Sequence, residues 1–123
     1  MSEGPLRRRP GQTGEDMACA HLEERGLRVV KRNFRCRGGE IDVVARDGEV
    51  VVFVEVKERS SSSHGAAIEA VTPLKRRRLV RAARIYAAGH GLLEKPVRFD
   101  VVAIDWGTDG PRVRHEKGAF REE

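Results

Sequence analysis

The side chains best equipped for chemistry sit in two short apolar runs. Glu40 and Asp42 lie in Gly39-Glu40-Ile41-Asp42-Val43-Val44-Ala45, and Glu55 and Lys57 in Val52-Phe53-Val54-Glu55-Val56-Lys57. Carboxylates among β-branched neighbours lose hydration, and like charges facing each other across strands repel. A divalent cation with oxygen ligands would offset both costs, with Lys57 adding positive charge beside it. The plainer reading is that one acid is protonated or faces solvent while the other pairs with Lys57 or an arginine. Spacing alone leaves both open.

The two runs flank Arg46-Asp47-Gly48-Glu49, and an Asp-Gly pair between apolar β-branched segments is a strong hairpin signal. With Asp47 and Gly48 as the turn, Arg46 faces Glu49, Asp42 faces Phe53 and Glu40 faces Glu55. Alternation then gives Glu40, Asp42, Glu55 and Lys57 one face with Val44, Val51 and Phe53. Ile41, Val43, Val50, Val52, Val54 and Val56 take the other.

A helix that starts at Thr13 and ends near Arg25 supplies another acid. Thr13 is its N-cap, Asp16 stands three residues on as in a capping box, and Gly26 marks its stop. Glu15, Ala18 and Leu22 form one inward stripe. Glu15 is a further ligand on that geometry, or it sits in the first turn only to meet the helix dipole.

A second helix begins with Thr72 as N-cap and Pro73 at its first position. Leu74, Leu79, Ala82, Ile85 and Tyr86 mark its buried side. Arg77, Arg81 and Arg84 share another stripe, available to phosphates or simply solvated. Arg28 to Arg35 reads as a first strand and Val97 to Asp105 as a central fourth, with Asp100 in a structural hydrogen bond or ion pair. A short strand near Val113 follows, and Phe120 covers an edge of the core.

The 123 residues suit one domain over 11–123 behind a basic, flexible tail at 1–10 that contains Arg7-Arg8-Arg9. A net charge of +5 favours a polyanionic partner. Only 5% of residues are aromatic, so recognition by backbone and shape is expected over base stacking. No apolar run approaches ~18 residues and no signal-peptide core is present, which points to the cytoplasm and to no membrane span. Cys19 and Cys36 read as reduced thiols, and the four histidines show no zinc spacing. The loop Arg59 to Gly65, rich in serine, is expected to border the site.

Helix acid, strand Asp and strand Glu-x-Lys, in that order, resemble the PD-(D/E)xK nuclease superfamily, the restriction-endonuclease-like fold. The chain is most similar to its YraN-like family of small bacterial proteins. That likeness rests on Gly14-Glu15 with Ala18, Asn33, Gly39 to Asp42, Val52 to Lys57, Arg59, Lys75, Arg98 to Val102, and Ala119-Phe120. It covers nearly everything from Gly11 to Phe120.

The resemblance implies a three-layer α/β sandwich around a mixed sheet, in the order αβββαβ. It also implies a divalent-metal phosphodiesterase site in which Asp42 and Glu55, with Glu15, bind Mg2+ or Mn2+. Lys57 orients or activates the attacking water, and Glu40 and Lys75 lie just behind. Ile41 stands where the superfamily often has Pro, and Glu58 where the YraN-like pattern has Thr. DNA is the partner implied, branched DNA if the likeness to Holliday-junction resolvases extends to substrate, and a homodimer by the same analogy. The alternative is a protein that keeps the fold and binds nucleic acid or a DNA-processing partner without cutting.

Overall fold

The structure, a computed structural model, describes residues 12–60, 69 and 71–122. The tail at 1–10 and the segment Ser61 to Gly65 lie outside these. Helix α1 (Gly14–Glu24) is followed by β1 (Arg28–Cys36), β2 (Gly39–Asp47) and β3 (Val50–Ser60), then α2 (Pro73–Gly89), β4 (Val97–Gly107) and β5 (Gly110–Phe120). The strands form one mixed sheet in the order β1-β2-β3-β4-β5. Only β3 and β4 run parallel, because α2 is the crossover between them.

Each helix covers one face, giving the expected three layers. Met17, Ala18 and Leu22 of α1 pack on Val43, Ala45, Val52, Val54, Val102 and Ile104. Leu79, Ala82, Ala83 and Tyr86 of α2 pack on Val44, Val51, Phe53 and Phe99. Burial on both faces explains the unbroken apolar runs of β3 and β4. Among the described residues, no helix is long and apolar enough to cross a membrane.

The helix starts follow their caps. Thr13 and Asp16 close a reciprocal capping box, and Thr72 accepts from the Lys75 backbone N–H ahead of Pro73. The face of α2 departs from expectation, since Leu74 and Ile85 are 50% and 41% exposed. At about 100° per residue they fall on the arginine stripe, and Val80, Ala83 and Ala87 take the sheet side instead. Strand β5 is long, pairing from Gly110 to Phe120, and β4 is interior while β3 holds the centre.

The hairpin register also differs. Asp47 pairs with Val50, so Gly48 and Glu49 make the turn, with Gly48 at φ 61°, and Val44 rather than Asp42 faces Phe53. Moving the turn by one residue shifts the register by two, which keeps Val44, Val51 and Phe53 together on one face. Glu40 pairs with Arg35 of β1, not with Glu55.

Asp100 is fully buried and fully partnered. Arg98 donates to both its oxygens at 2.9 and 3.0 Å, His115 Nε2 lies 2.7 Å away, and the Gly118 N–H donates at 2.9 Å. These bonds tie β4 to the far half of β5, as structural roles for Asp100 and Arg98 require. Nearby, the Phe120 ring stacks on Phe99 at 5.2 Å.

Candidate functional site

Strand alternation breaks where the acids lie. Ile41 packs into the α2 core, yet Val43 packs into the α1 core, so the expectation that they share a face fails. The cause is a kink across two strands. Asn33 adopts φ 56°, a left-handed conformation that Asn tolerates better than most residues, between the pairs Arg32 with Val43 and Phe34 with Ile41. On the other side the β2–β3 ladder stops after Val43 pairs with Val54. Continuing that register would set Asp42 across from Glu55. Instead, the Asp42 carboxylate accepts the Val56 N–H at 2.8 Å.

The electrostatics follow from this placement. Burial, then the Glu55 charge, push Asp42 up to about 6, and the Val56 N–H and Lys75 oppose the shift without cancelling it. Glu55 is only 5% exposed, and Lys75 Nζ donates to its Oε2 at 3.0 Å. Lys75 stands four, seven and eleven residues before Leu79, Ala82 and Tyr86, so it is the first member of the buried stripe of α2. Its stem is thereby aimed at the sheet. The hydrogen bond and charge of Glu55 hold the Lys75 ammonium above its ordinary pKa.

Glu15 approaches from α1 and is clamped. Arg32 Nε donates to its Oε1 at 2.8 Å and Asn33 Nδ2 at 2.9 Å, while Arg32 also reaches Asp16 at 2.7 Å. Its charge contributes to raising Asp42. Among the described residues, no three His, Cys, Asp or Glu side chains gather closely enough to hold a metal ion unaided. Asp42 and Glu55 form a two-carboxylate set. Hard oxygen donors in that number suit Mg2+, which keeps several waters and takes one or two carboxylates beside substrate phosphates.

Lys57 is half-buried two residues beyond Glu55 and has no ion pair among the described residues. Glu58 sits apart from it, accepting from Trp106 Nε1 at 2.8 Å and lying where a side chain on Gly14 would clash. Arg59 is in β3, paired with Asp105 at 2.7 Å.

An open cavity of about 400 Å³ gives access to Glu55. Glu40, Lys75, Arg35, Arg78 and Cys36 line it with Glu55, and Gly38 and Gly39 form its wall. Gly39 is required there, because a Cβ would lie 2.3 Å from the Arg78 carbonyl oxygen and 3.2 Å from Ala82 Cβ. Gly39→Ala should therefore lift α2 off β2 and cost about 1–3 kcal/mol, read as a fall in the chemical-denaturation midpoint.

The arginine stripe is partly engaged. Arg81 Nε donates to the Arg37 carbonyl at 3.0 Å, anchoring α2 to the β1–β2 turn, and Arg84 pairs with Glu122. Arg77 has no partner among the described residues. Arg35 and Arg78, from β1 and α2, meet at the cavity only when α2 is docked, and no strand or helix pattern in the sequence marks them as a pair.

Taken together, these features define a three-layer α/β protein in which a half-buried Asp42 lies beside a buried Glu55, and Glu55 opens onto a cavity lined by Arg35, Lys75 and Arg78. The chain belongs to the uncharacterised protein family UPF0102, the YraN-like family, whose profile matches residues 14–104, from α1 into β4. It is 52% identical over 118 residues to a UPF0102 protein of Anaeromyxobacter dehalogenans (strain 2CP-C), covering 96% of this chain and 88% of that one. A UPF0102 protein of Geobacter sulfurreducens is 49% identical over 111 residues, 89% and 87% of the two chains. One from Symbiobacterium thermophilum is 49% identical over 116 residues, 94% and 98% of the two.

Proposed function

We propose that this protein is a divalent-metal-dependent endonuclease that hydrolyses phosphodiester bonds in nucleic acid, with Asp42 and Glu55 holding the ion. The observation that carries this reading is the mutual strain of the two carboxylates. Asp42 is pushed up to about 6 beside a Glu55 that is nearly sealed from water and has a single lysine as counterion. Mg2+ or Mn2+ held there would supply charge against the phosphoryl oxygens as the bond breaks. Lys57, on the same strand and without an ion pair among the described residues, orients or activates the attacking water. Arg35 and Arg78 at the cavity and Arg77 on α2 hold the flanking phosphates. DNA with a branch is the substrate that the likeness to resolvases favours.

One observation favours the second reading, a nucleic-acid-binding protein that does not cut. Glu15 is committed to Arg32 and Asn33, which leaves two acids rather than three for an ion.

The two readings separate when single-stranded, duplex and four-way DNA and RNA are offered with Mg2+ or Mn2+ to the wild type, Asp42→Asn and Glu55→Gln. Cutting by the wild type that both substitutions reduce by more than about 100-fold supports hydrolysis. Binding without cutting by every protein supports the second reading. Phosphate contact makes its own prediction: Arg77→Ala and Arg78→Ala should each lower the salt slope of binding by about 0.9, and Arg84→Ala by less because Glu122 already neutralises it.

A further inference from the structure

We infer that Lys75 is an exchangeable counterion: it occupies Glu55 until a divalent ion arrives, and is then released to the cavity, where it takes a substrate phosphate. This rests on the metal reading above and adds how loading of the ion and of the substrate are linked. Three observations carry it. The Glu55 carboxylate is nearly closed to water, and its ion-pair partner among the described residues is Lys75, with Nζ at 3.0 Å. The lysine side chain is 45% exposed against 6% for the glutamate, so its end can leave without unpacking the stripe behind it. The cavity that Lys75 already borders is also lined by Arg35 and Arg78, so an ammonium freed from Glu55 has two further cations beside it to meet an anion.

A lysine suits this task because its ammonium is a point charge on a flexible stem, easily parted from a single carboxylate oxygen. An arginine would grip both oxygens. The ion and Lys75 compete for the same carboxylate. Once the ion has displaced it, the lysine adds one cation to the phosphate-binding rim, so metal and polyanion reinforce each other. The Glu55–Lys75 pair keeps the protein folded without the ion and limits its affinity for polyanions in that state.

The test is a titration of Mn2+ alone, by calorimetry at pH 8, into the wild type, Lys75→Met and Lys75→Arg. The expected order of Mn2+ affinity is Lys75→Met above wild type above Lys75→Arg, with about fivefold between neighbours, the ratio that a half-exposed ion pair corresponds to. The charge-keeping arginine variant guards against a loss of fold in the methionine one. Duplex DNA binding supplies the second readout. The salt slopes of wild type and Lys75→Met should agree in EDTA, and in Ca2+ the wild type should be steeper by about 0.9, one added phosphate contact.

Weaker Mn2+ binding by Lys75→Met, or equal affinity in all three proteins, overturns the exchange while leaving the metal reading intact. Equal slopes in Ca2+ overturn the release to phosphate. If the wild type takes up no Mn2+, the metal reading falls and the exchange falls with it.

Discussion

Asp42→Asn should make the metal-free protein more stable at pH 8, by about 2–3 kcal/mol, while removing its response to Mn2+. The gain arises because the folded state holds this carboxyl at about 6 against an ordinary 3.8, through burial first and the Glu55 charge second. Between those values the native protein keeps a proton that the unfolded chain has released. Stability therefore falls as pH rises through this window, and the full cost is present above about pH 6. Asparagine removes the charge and retains an oxygen for the Val56 N–H.

At pH 8 the midpoint of thermal unfolding should rise by several degrees, and at pH 4 the two proteins should nearly coincide. With Mn2+ the order reverses, because only the wild type gains from the ion. For the wild type, Mn2+ affinity should weaken by about tenfold per unit as pH falls below 6, where a proton competes for Asp42. An Asp42→Asn protein less stable than wild type at pH 8 would contradict this account of the site.

Asp100→Ala should cost about 3–5 kcal/mol, a large fraction of the stability of an ordinary domain. Removing this fully buried carboxylate strands the ring of His115 and the Gly118 N–H and leaves the Arg98 guanidinium with Asp47 alone. His115 Nδ1 already lacks a hydrogen-bond partner among the described residues, so the ring has no second hydrogen bond to hold it. The pH dependence is opposite to that of Asp42. Burial pushes Asp100 up, but His115, Arg98 and the Gly118 N–H outweigh it and hold its pKa below the ordinary value. Its contribution is present above about pH 4 and is lost as pH falls through the lowered folded value. Denaturant titration at pH 7 measures the loss, and a change below 1 kcal/mol would show that the network is not what joins β4 to β5.

Much of the frame was legible because it depends on local chemistry. Thr13 with Asp16, and Thr72 before Pro73, mark helix starts through bonds made within one turn. The apolar run of β4 reads as an interior strand, and the Asp-Gly pair between apolar segments reads as the hairpin of β2 and β3. What escaped depends on distant parts of the chain. The Asp-Gly pair reads as the turn itself, but Asp47 closes the hairpin and Gly48 with Glu49 make it, a choice between adjacent positions that the local sequence leaves open.

The kink at Asn33 could have been suspected from an Asn inside a polar strand, yet its effect, turning Ile41 and Val43 to opposite sides, needs two ladders to be seen. Leu74 and Ile85 read as part of the buried stripe of α2 yet lie exposed, because a helix with arginines on most sides offers no clean apolar arc. Lys75 on Glu55 is legible only once α2 crosses the sheet.

The most direct measurement is the amount of Mn2+ bound at pH 8, followed by electron paramagnetic resonance of the free ion, for the wild type, Asp42→Asn and Glu55→Gln. The two-carboxylate site predicts saturable uptake by the wild type and its loss in both variants, each shown to be folded. No uptake by the wild type, or equal uptake by all three, would contradict it.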